Sequence, residues 1–440
     1  MIKKRPVFSL LFLAFILAAF SAVPPGALAG DESLIIKEGE RLGLGRCLAV
    51  ALEREPSIGA ALYNAEAARS RVSEAQSNYY PQVEASGGYS KSAKAAPGRS
   101  SASFSQGADL YTSGISLKQN IYDFGRTPAQ VGVQEFNLGA SRFDLENARN
   151  QIIFNVKQAY YGLLQAEKAL IVSDESVKQA EAHLEQAKGF YEAGTKPRID
   201  VTRAEVALSE ARVSRIKAKN ALALGRVTLN NAMGVPDAPD FEVEDDLGFQ
   251  IYGITLEDAL SRAFNARPDL KSAAEKRKAL GEAVELAKKN YYPALSGNAG
   301  YNWSGERFPL ERGWDVGATL TVPLFSGFLT RYQVAESRAN LNAAAANQEA
   351  LRQTVIFEVR QAYLNLMEAG ERVPAAEASV KQAEENLELA NARYAAGVGN
   401  PIESADASVA YGNARLAYFQ ALTDGKIAQA GLEKAIGGGR

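Results

Sequence analysis

Residues 78–81 read Asn-Tyr-Tyr-Pro, and the same four residues recur 212 positions later at 290–293. From Gly114 onward the matching offset becomes 203, so that residues 156–160 (VKQAY) correspond to residues 359–363 (VRQAY). The shorter offset leaves nine additional residues in the first copy, in a stretch where Ser, Gly and Ala predominate as in an exposed loop. Matches at two fixed offsets indicate that one structural unit occurs twice in this chain.

The repeat divides the chain into predicted parts. Residues 1–29 combine a basic start, an apolar run and the small-x-small sequence Ala27-Leu28-Ala29, which predicts a secretory signal, with an uncleaved membrane anchor as the alternative. No Cys stands at the cleavage point, so no lipid anchor is expected. The first copy is predicted at 30–233, an acidic linker at 234–253 and the second copy at 254–440.

Composition excludes several classes of function. The formal net charge of −2 argues against a nucleic-acid partner, which requires a basic face. The single Cys, Cys47, permits neither an intrachain disulfide nor a Cys-based metal site, and we expect it to be a small buried residue. With one His, His183, and no G-x-S-x-G or H-E-x-x-H sequence, the chain is predicted to be neither an enzyme nor a cofactor protein.

Both copies predict the same order of elements: two helices, two strands, a very long helix and a last helix. The helices are predicted at 44–54, 57–79, 127–192 and 199–233 in the first copy and at 256–266, 269–291, 330–395 and 401–436 in the second. A helix of about 66 residues spans about 100 Å, which is longer than a globular core needs.

Apolar residues recur along the long helices at alternating intervals of three and four, the spacing of an antiparallel coiled-coil seam. The second-copy row is Val373, Ala376, Val380, Ala383, Leu387, Ala390 and Tyr394. We expect this row to continue in the last helix as Ile402, Ala405, Val409, Gly412, Leu416 and Phe419. His183 stands beside the corresponding first-copy row and is expected to be solvated.

Four strands are predicted, at about 82–90, 109–122, 294–303 and 314–325, and each alternates apolar with polar residues. Aromatic residues gather at the strand ends, as in the girdles of a membrane barrel. Four strands cannot close a barrel, and open edges are not tolerated in lipid, so closure requires several chains, of which three would give twelve strands. A soluble four-stranded sheet packed on helices is the alternative.

In combination, the two Asn-Tyr-Tyr-Pro junctions, Leu-Phe-Ser-Gly at 324–327, and the turns YEAG at 191–194 and YAAG at 394–397 resemble the TolC family of outer membrane efflux proteins. The resemblance covers essentially the whole mature chain. It implies a mainly α fold with a small β part: a trimeric twelve-stranded transmembrane barrel that continues as an α-barrel of twelve helices across the periplasm of a Gram-negative bacterium.

The resemblance also implies the function and the partners. Such a homotrimer is a passive exit duct of a tripartite efflux or type I secretion system. It is opened by an inner-membrane pump of RND or ABC type and a periplasmic adaptor, with outer-membrane lipid around the barrel. A periplasmic coiled-coil adaptor or scaffold without a channel is the alternative function. The exported substrate is left open.

By the same resemblance, the channel narrows at the two helix–helix turns. The inward acidic positions fall on Glu403 and Asp406, with Asp200 in the first copy, and would form rings that attract cations. The alternative is helix capping, because Asn400-Pro401-x-Glu403 is typical of a helix start.

The turns themselves are implied to contact the adaptor, at Gly194, Thr195, Lys196, Gly397, Val398 and Gly399. The sequence departs from well-known members of the family at Gly399, where they carry an Arg that holds the tip closed. A contact of Tyr394 with Asp200 is still possible, and Lys196 or Arg198 could supply the cation.

Overall fold

The computed structural model describes residues 36–92, 108–248, 253–396 and 398–438. The predicted secretory signal at 1–29 therefore lies outside the described residues. The same holds for Gly397, for residues 93–107 between the first two predicted strands and for residues 249–252 of the linker. Among the described residues, no helix combines the length and the apolar character that crossing a membrane requires.

The fold is mainly helical with a small sheet, as predicted, and its elements follow the repeat. The first copy comprises β1 (Arg41–Leu42), α1 (Leu44–Arg54), α2 (Pro56–Gln76), β2 (Gln82–Ser92), β3 (Ala108–Tyr122), α3 (Arg126–Glu192) and α4 (Arg198–Ala232). After β4 (Glu242–Val243) in the linker, the second comprises α5 (Leu256–Ala266), α6 (Pro268–Lys289), β5 (Ala294–Gly305), β6 (Glu311–Thr321), α7 (Leu329–Ala395) and α8 (Pro401–Ala435).

The last strand differs from the prediction of about 314–325 at both ends. β6 begins at Glu311 and ends at Thr321, so residues 322–325, which were predicted as strand, lie outside it. Pro323 stands just beyond the end, and proline has no N–H with which to continue a ladder.

The larger sheet is antiparallel throughout, in the order β2-β3-β5-β6, which leaves β2 and β6 as its edges. The register places Ile115 opposite Tyr301 and Tyr301 opposite Trp314 on one face. On the other face Lys118 lies opposite Asn298, and Gly300 opposite Asp315. The sheet therefore has one apolar, aromatic face and one polar face, as the alternation predicted.

The long helices α3 and α7 have 67 residues each, and α4 and α8 have 35 each. On α7 the predicted seam is confirmed, since Val373, Leu387 and Tyr394 are buried. On α8 the predicted row is wrong. Its members Ile402, Val409 and Leu416 are exposed, whereas the buried positions are Ser404, Ala407, Ala414 and Ala421. The reason is that α8 packs against both α7 and α3, so the row between these two neighbours is buried.

The main core lies where α1, α3, α4 and the linker meet. Tyr160 is fully buried there, and its hydroxyl donates to the Glu244 carbonyl over 2.7 Å. The parallel pairing of β1 with β4 joins the start of the first copy to the linker. Cys47 is buried as predicted, and burial raises the pKa of its thiol to about 12, so the thiol stays protonated and unreactive.

Gly234 ends α4 in a left-handed conformation, with φ of +71°. A Cβ at this position would lie 2.8 Å from the Arg54 carbonyl oxygen and 2.8 Å from the Glu55 Cα. Only glycine therefore lets the end of α4 approach the α1–α2 junction so closely.

Replacing Gly234 with Ala should lower the free energy of unfolding by about 1–3 kcal/mol, because both the positive φ and the backbone contacts would strain the native state. The measurement is thermal denaturation followed by circular dichroism. Gly45→Ala, within α1 where a Cβ meets no atom within 4 Å, is the control and should not destabilise the protein. Equal losses in both variants would contradict this account of the junction.

Candidate functional site at the helix tips

The first-copy turn is closed by backbone hydrogen bonds at the end of α3. Gly194 has a φ of +68°, and the N–H groups of Thr195 and Lys196 donate to the Phe190 carbonyl over 3.0 and 3.3 Å. The Thr195 hydroxyl donates to the same carbonyl over 2.9 Å. The glycine-closed turn satisfies carbonyls that the helix end would leave unpaired.

The second-copy turn repeats this pattern with the N–H groups of Val398 and Gly399, which donate to the Arg393 carbonyl over 3.2 and 2.9 Å. Asn400 caps α8, since its side chain accepts from the Ile402 N–H over 3.0 Å. The Glu403 carboxylate instead faces Arg393, at 3.9 Å from Nη2. The cap at Asn400 is thus observed, while Glu403 lies in an ion pair with a cation that the sequence analysis did not single out.

Gly399 is held by close packing of the turn against α7. A Cβ at this position would lie 2.7 Å from the Tyr394 backbone nitrogen and 2.8 Å from the Arg393 carbonyl carbon. A side chain at this position therefore could not be accommodated without moving the backbone of the turn.

Tyr394 and Asp200 are both buried and line the same cavity. The ring of Tyr394 meets that of Phe190 edge-on, with centroids 5.5 Å apart. Burial raises the pKa of the Tyr394 hydroxyl, and the charge of Asp200 raises it further. The structure thus brings these two predicted site residues together, and they interact electrostatically.

Glu403 and Asp406 lie apart from this buried pair. Both side chains are exposed on the first turns of α8. Arg203, the first-copy counterpart of Asp406, lines the cavity with Asp200. The predicted site residues therefore form two groups, an exposed acidic pair on α8 and a buried pair between α4 and α7.

The cavity that Tyr394 and Asp200 line has a volume of about 620 Å³ and lies between α3, α4 and α8. Its α8 wall is the row that was predicted as a seam: Ile402, Ala405, Val409, Gly412 and Leu416. Small residues such as Ala204, Ala207 and Ala211 line the α4 wall. The result is a largely apolar groove beside the tip.

His183 is half-buried in this groove, so the expectation that it is solvated is wrong. Its Nε2 lies 3.4 Å from the hydroxyl oxygen of Ser404, which donates to Asn391 Oδ1 over 2.6 Å. Gln179 accepts from Ser408 over 2.7 Å, and Glu175 pairs with Arg415. Positions 175, 179 and 183 recur once per turn, and this polar spacing on α3 is the sequence signal that the seam analysis passed over.

Among the described residues, no three His, Cys, Asp or Glu side chains are grouped as a metal site would require. The sequence profile of the family described as Outer membrane efflux protein matches residues 48–235 and 259–438.

The chain belongs to the outer membrane efflux protein family.

Curated relatives within this family agree. The outer membrane protein OprJ of Pseudomonas aeruginosa is 25% identical over 409 residues, which cover 90% of this chain and 84% of OprJ. The outer membrane protein TolC of Vibrio cholerae is 24% identical over 402 residues, with 88% and 89% covered. The resemblance to the TolC family is therefore confirmed, and the alternative of an adaptor without a channel receives no support.

Solved structures share the fold. The Campylobacter jejuni CmeC outer membrane channel superposes with a TM-score of 0.79 at 21% identity, covering 90% of this chain and 86% of that one. The open state of the Neisseria gonorrhoeae MtrE outer membrane channel gives 0.77 at 20% identity, covering 90% and 89%. This efflux family protein therefore has the fold of both of these channels.

Replacing Gly399 with Ala should loosen the second-copy turn, because the added methyl group overlaps the backbone of Tyr394. Hydrogen–deuterium exchange of peptides spanning 394–403 should be faster than in the wild type. Lys196→Ala, at the repeat counterpart of Gly399, is the control and should leave exchange at both turns unchanged. Wild-type exchange in the Gly399 variant would show that the turn tolerates a side chain.

His183 should make stability depend on pH, because burial lowers the pKa of its imidazole below the ordinary value of 6.5. A depressed pKa means that the unfolded chain binds the proton more readily, so stability is full above pH 6.5 and falls as the pH drops below it. His183 is the chain's only His. His183→Gln should therefore reduce the change of melting temperature with pH between pH 6.5 and the acidic range where carboxylates begin to titrate. An unchanged slope in the variant would exclude His183 as the source.

Proposed function

We propose that this protein works as a homotrimer in which three four-stranded sheets close one twelve-stranded barrel in the outer membrane. The observation that carries the proposal is the sheet itself, which has an apolar face, a polar face and two edges, β2 and β6. Its polar face bears Asp315, which accepts from Asn298 and Asn302 over 3.4 and 3.3 Å. A polar face of this kind suits a water-filled lumen, with the aromatic face against lipid.

The helices would continue the barrel into the periplasm of a Gram-negative bacterium. Residues 1–29 would direct export and be removed, without lipid attachment. The long loop after β2 and the loop between β5 and β6 would face the outside, and the turns at the ends of α3 and α7 would face the periplasm. The helices α3, α4, α7 and α8 of three chains would supply the twelve helices of the α-barrel.

The channel would be a passive duct without catalysis, serving an inner-membrane pump of RND or ABC type through a periplasmic adaptor. The adaptor would contact the turns at Gly194, Thr195, Lys196, Gly397, Val398 and Gly399. Val398 supports this role, since 75% of its surface is exposed at the tip. Contact with a partner protein would remove this apolar surface from water.

Glu403 and Asp406 would form the periplasmic selectivity site, with Asp200 and Tyr394 holding the helix ends behind it. Both acids are exposed and stand one turn apart, so three chains would present two stacked acidic rings. Such rings concentrate cations and repel anions in a narrow neck. The pairing of Glu403 with Arg393 suggests that Asp406 carries the larger share of the free negative charge.

The double variant Glu403→Ala/Asp406→Ala should form trimers at wild-type levels but conduct with reduced cation selectivity and weaker block by multivalent cations. Its stability should fall by no more than about 1 kcal/mol, since exposed acids in the first two turns of a helix contribute little through the helix dipole. The measurement is reversal potential in planar bilayers under a salt gradient.

The matched control is Asn400→Ala, which removes the α8 cap and retains both acids. It should cost about 1 kcal/mol of stability and leave selectivity unchanged. Wild-type selectivity in the double variant would place the gate elsewhere, most directly at Asp200 and Tyr394. Absence of any conductance from wild-type trimers would contradict the channel proposal itself.

A further inference from the structure

An aromatic side chain of α3 is seated against the last two helices of the same chain. The Phe154 ring lies 3.8 Å from the position that a Cβ at Gly431 would occupy, and Lys434 Nζ lies 5.0 Å from its centroid. Beside it, Lys157 forms an ion pair of 2.5 Å with Glu433, and Asn150 donates to the Gly437 carbonyl over 3.1 Å. This cluster joins α3 to α8.

The repeat offset of 203 gives each of these α3 residues a counterpart on α7. Phe154 corresponds to Phe357, Lys157 to Arg360 and Asn150 to Gln353. All three counterparts are exposed, and Phe357 exposes 65% of its surface. We call these three α7 side chains the projecting set. They match the α3 side chains that pack on α8, but they are themselves exposed.

The receiving surface also has a counterpart, between α3 and α4. Gly431 corresponds to Thr228, Lys434 to Asn231 and Ala428 to Gly225. These first-copy residues, with Gly162, line an open cavity of about 570 Å³. Phe154 thus occupies a groove on the second copy, and the equivalent groove on the first copy is open.

A second observation concerns hydrogen bonding on α4, next to the groove residue Asn231. Glu433 corresponds to Asn230, whose Oδ1 is buried and accepts no hydrogen bond within the part of the chain that the structure describes. A buried acceptor without a donor is unfavourable, and native proteins contain few of them. The matching position on α7 is Arg360, whose guanidinium carries five N–H donors.

The exposed apolar surface of α4 also supports a contact at this groove. Leu224 and Val227 expose 58% and 65% of their surfaces. The repeat counterpart of Val227 is Ala430 on α8, which exposes only 5% of its surface. The counterpart of Leu224 is Ile427, which packs against the main core. Within one chain, α3 covers α8, and no described element covers α4 in the same way.

We infer that the first-copy groove receives α7 of a second copy of this chain, with Phe357 seated between Gly225 and Thr228 and Arg360 beside the Asn230 acceptor. Each chain then offers one projecting set and one groove on different surfaces, which is a head-to-tail contact that closes into a ring. The inference rests on the proposed trimer and adds the side chains that join its subunits.

The test places a photoreactive benzoylphenylalanine at position 357 in full-length protein in detergent, which keeps an aromatic ring there. Irradiation should yield covalent dimers and trimers, with the crosslink mapped by mass spectrometry to the peptide that contains Thr228 of another chain. The same substitution at position 154 is the matched control and should crosslink within one chain, near Gly431.

Other products overturn the inference. Crosslinks from position 357 to detergent, to lipid or to any other peptide would assign the groove a different occupant. If the protein is trimeric by light scattering and conducts, yet crosslinks elsewhere, this contact is wrong and the channel proposal stands. A monomer that does not conduct would overturn both.

A second pair of variants tests the contact without photochemistry. Phe357→Ala should raise the dissociation constant of the trimer by about tenfold or more, as expected for an aromatic anchor at an interface. Phe154→Ala should lower the melting temperature of the chain without such a change in dissociation. Equal dissociation constants for Phe357→Ala and wild type would contradict the proposed seat.

Discussion

The free edges of the four-stranded sheet are the constraint on which the rest of the structure depends. β2 and β6 each present backbone N–H and C=O groups that no strand among the described residues pairs. In hydrocarbon each unpaired group costs several kcal/mol, so a sheet of this kind has no stable place in a membrane as a single copy. Closure by further copies, as proposed above, would satisfy both edges together. It would also fix the number of helices, because every hairpin leads into one long helix and its shorter partner.

Duplication explains why equivalent residues have different surroundings. The two copies belong to one chain, and within that chain α3 of the first copy covers α8 of the second copy. In the proposed trimer, contact of the same geometry on α4 would come from another chain. In the single chain Val227 is exposed where Ala430 is buried, and among the described residues Asn230 lacks the donor that Glu433 finds in Lys157. Burial in the single chain thus reflects which half of a repeated interface is intramolecular.

Sequence reasoning predicted the elements well because their causes are local. Period-two alternation sets the strand faces, prolines follow the helices α2 and α6, and glycines end α3 and α4, each through backbone geometry that one residue decides. The row that α8 buries was not predictable in this way. A 3.5-residue repeat gives the spacing of a seam, whereas the choice of Ala407 and Ala414 over Val409 depends on a second neighbour, α3. The burial of His183, which lies on α3, depends on the same contact between the two helices, through Ser404 of α8.

The two kinds of helix contact at the tip differ in how readily they separate. Within the α7–α8 pair, burial of residues such as Leu387 excludes water, and parting the helices would expose apolar surface. Between α3 and α8 near the tip there are polar contacts, at Glu175–Arg415, Gln179–Ser408 and His183–Ser404. Each such hydrogen bond contributes about 1 kcal/mol net, because water replaces the lost partner when the bond opens. Near the tip, the boundary between α3 and α8 therefore costs less to open than the apolar α7–α8 seam. In the channel proposed above, the tip would widen along this boundary while the α7–α8 pair stays intact.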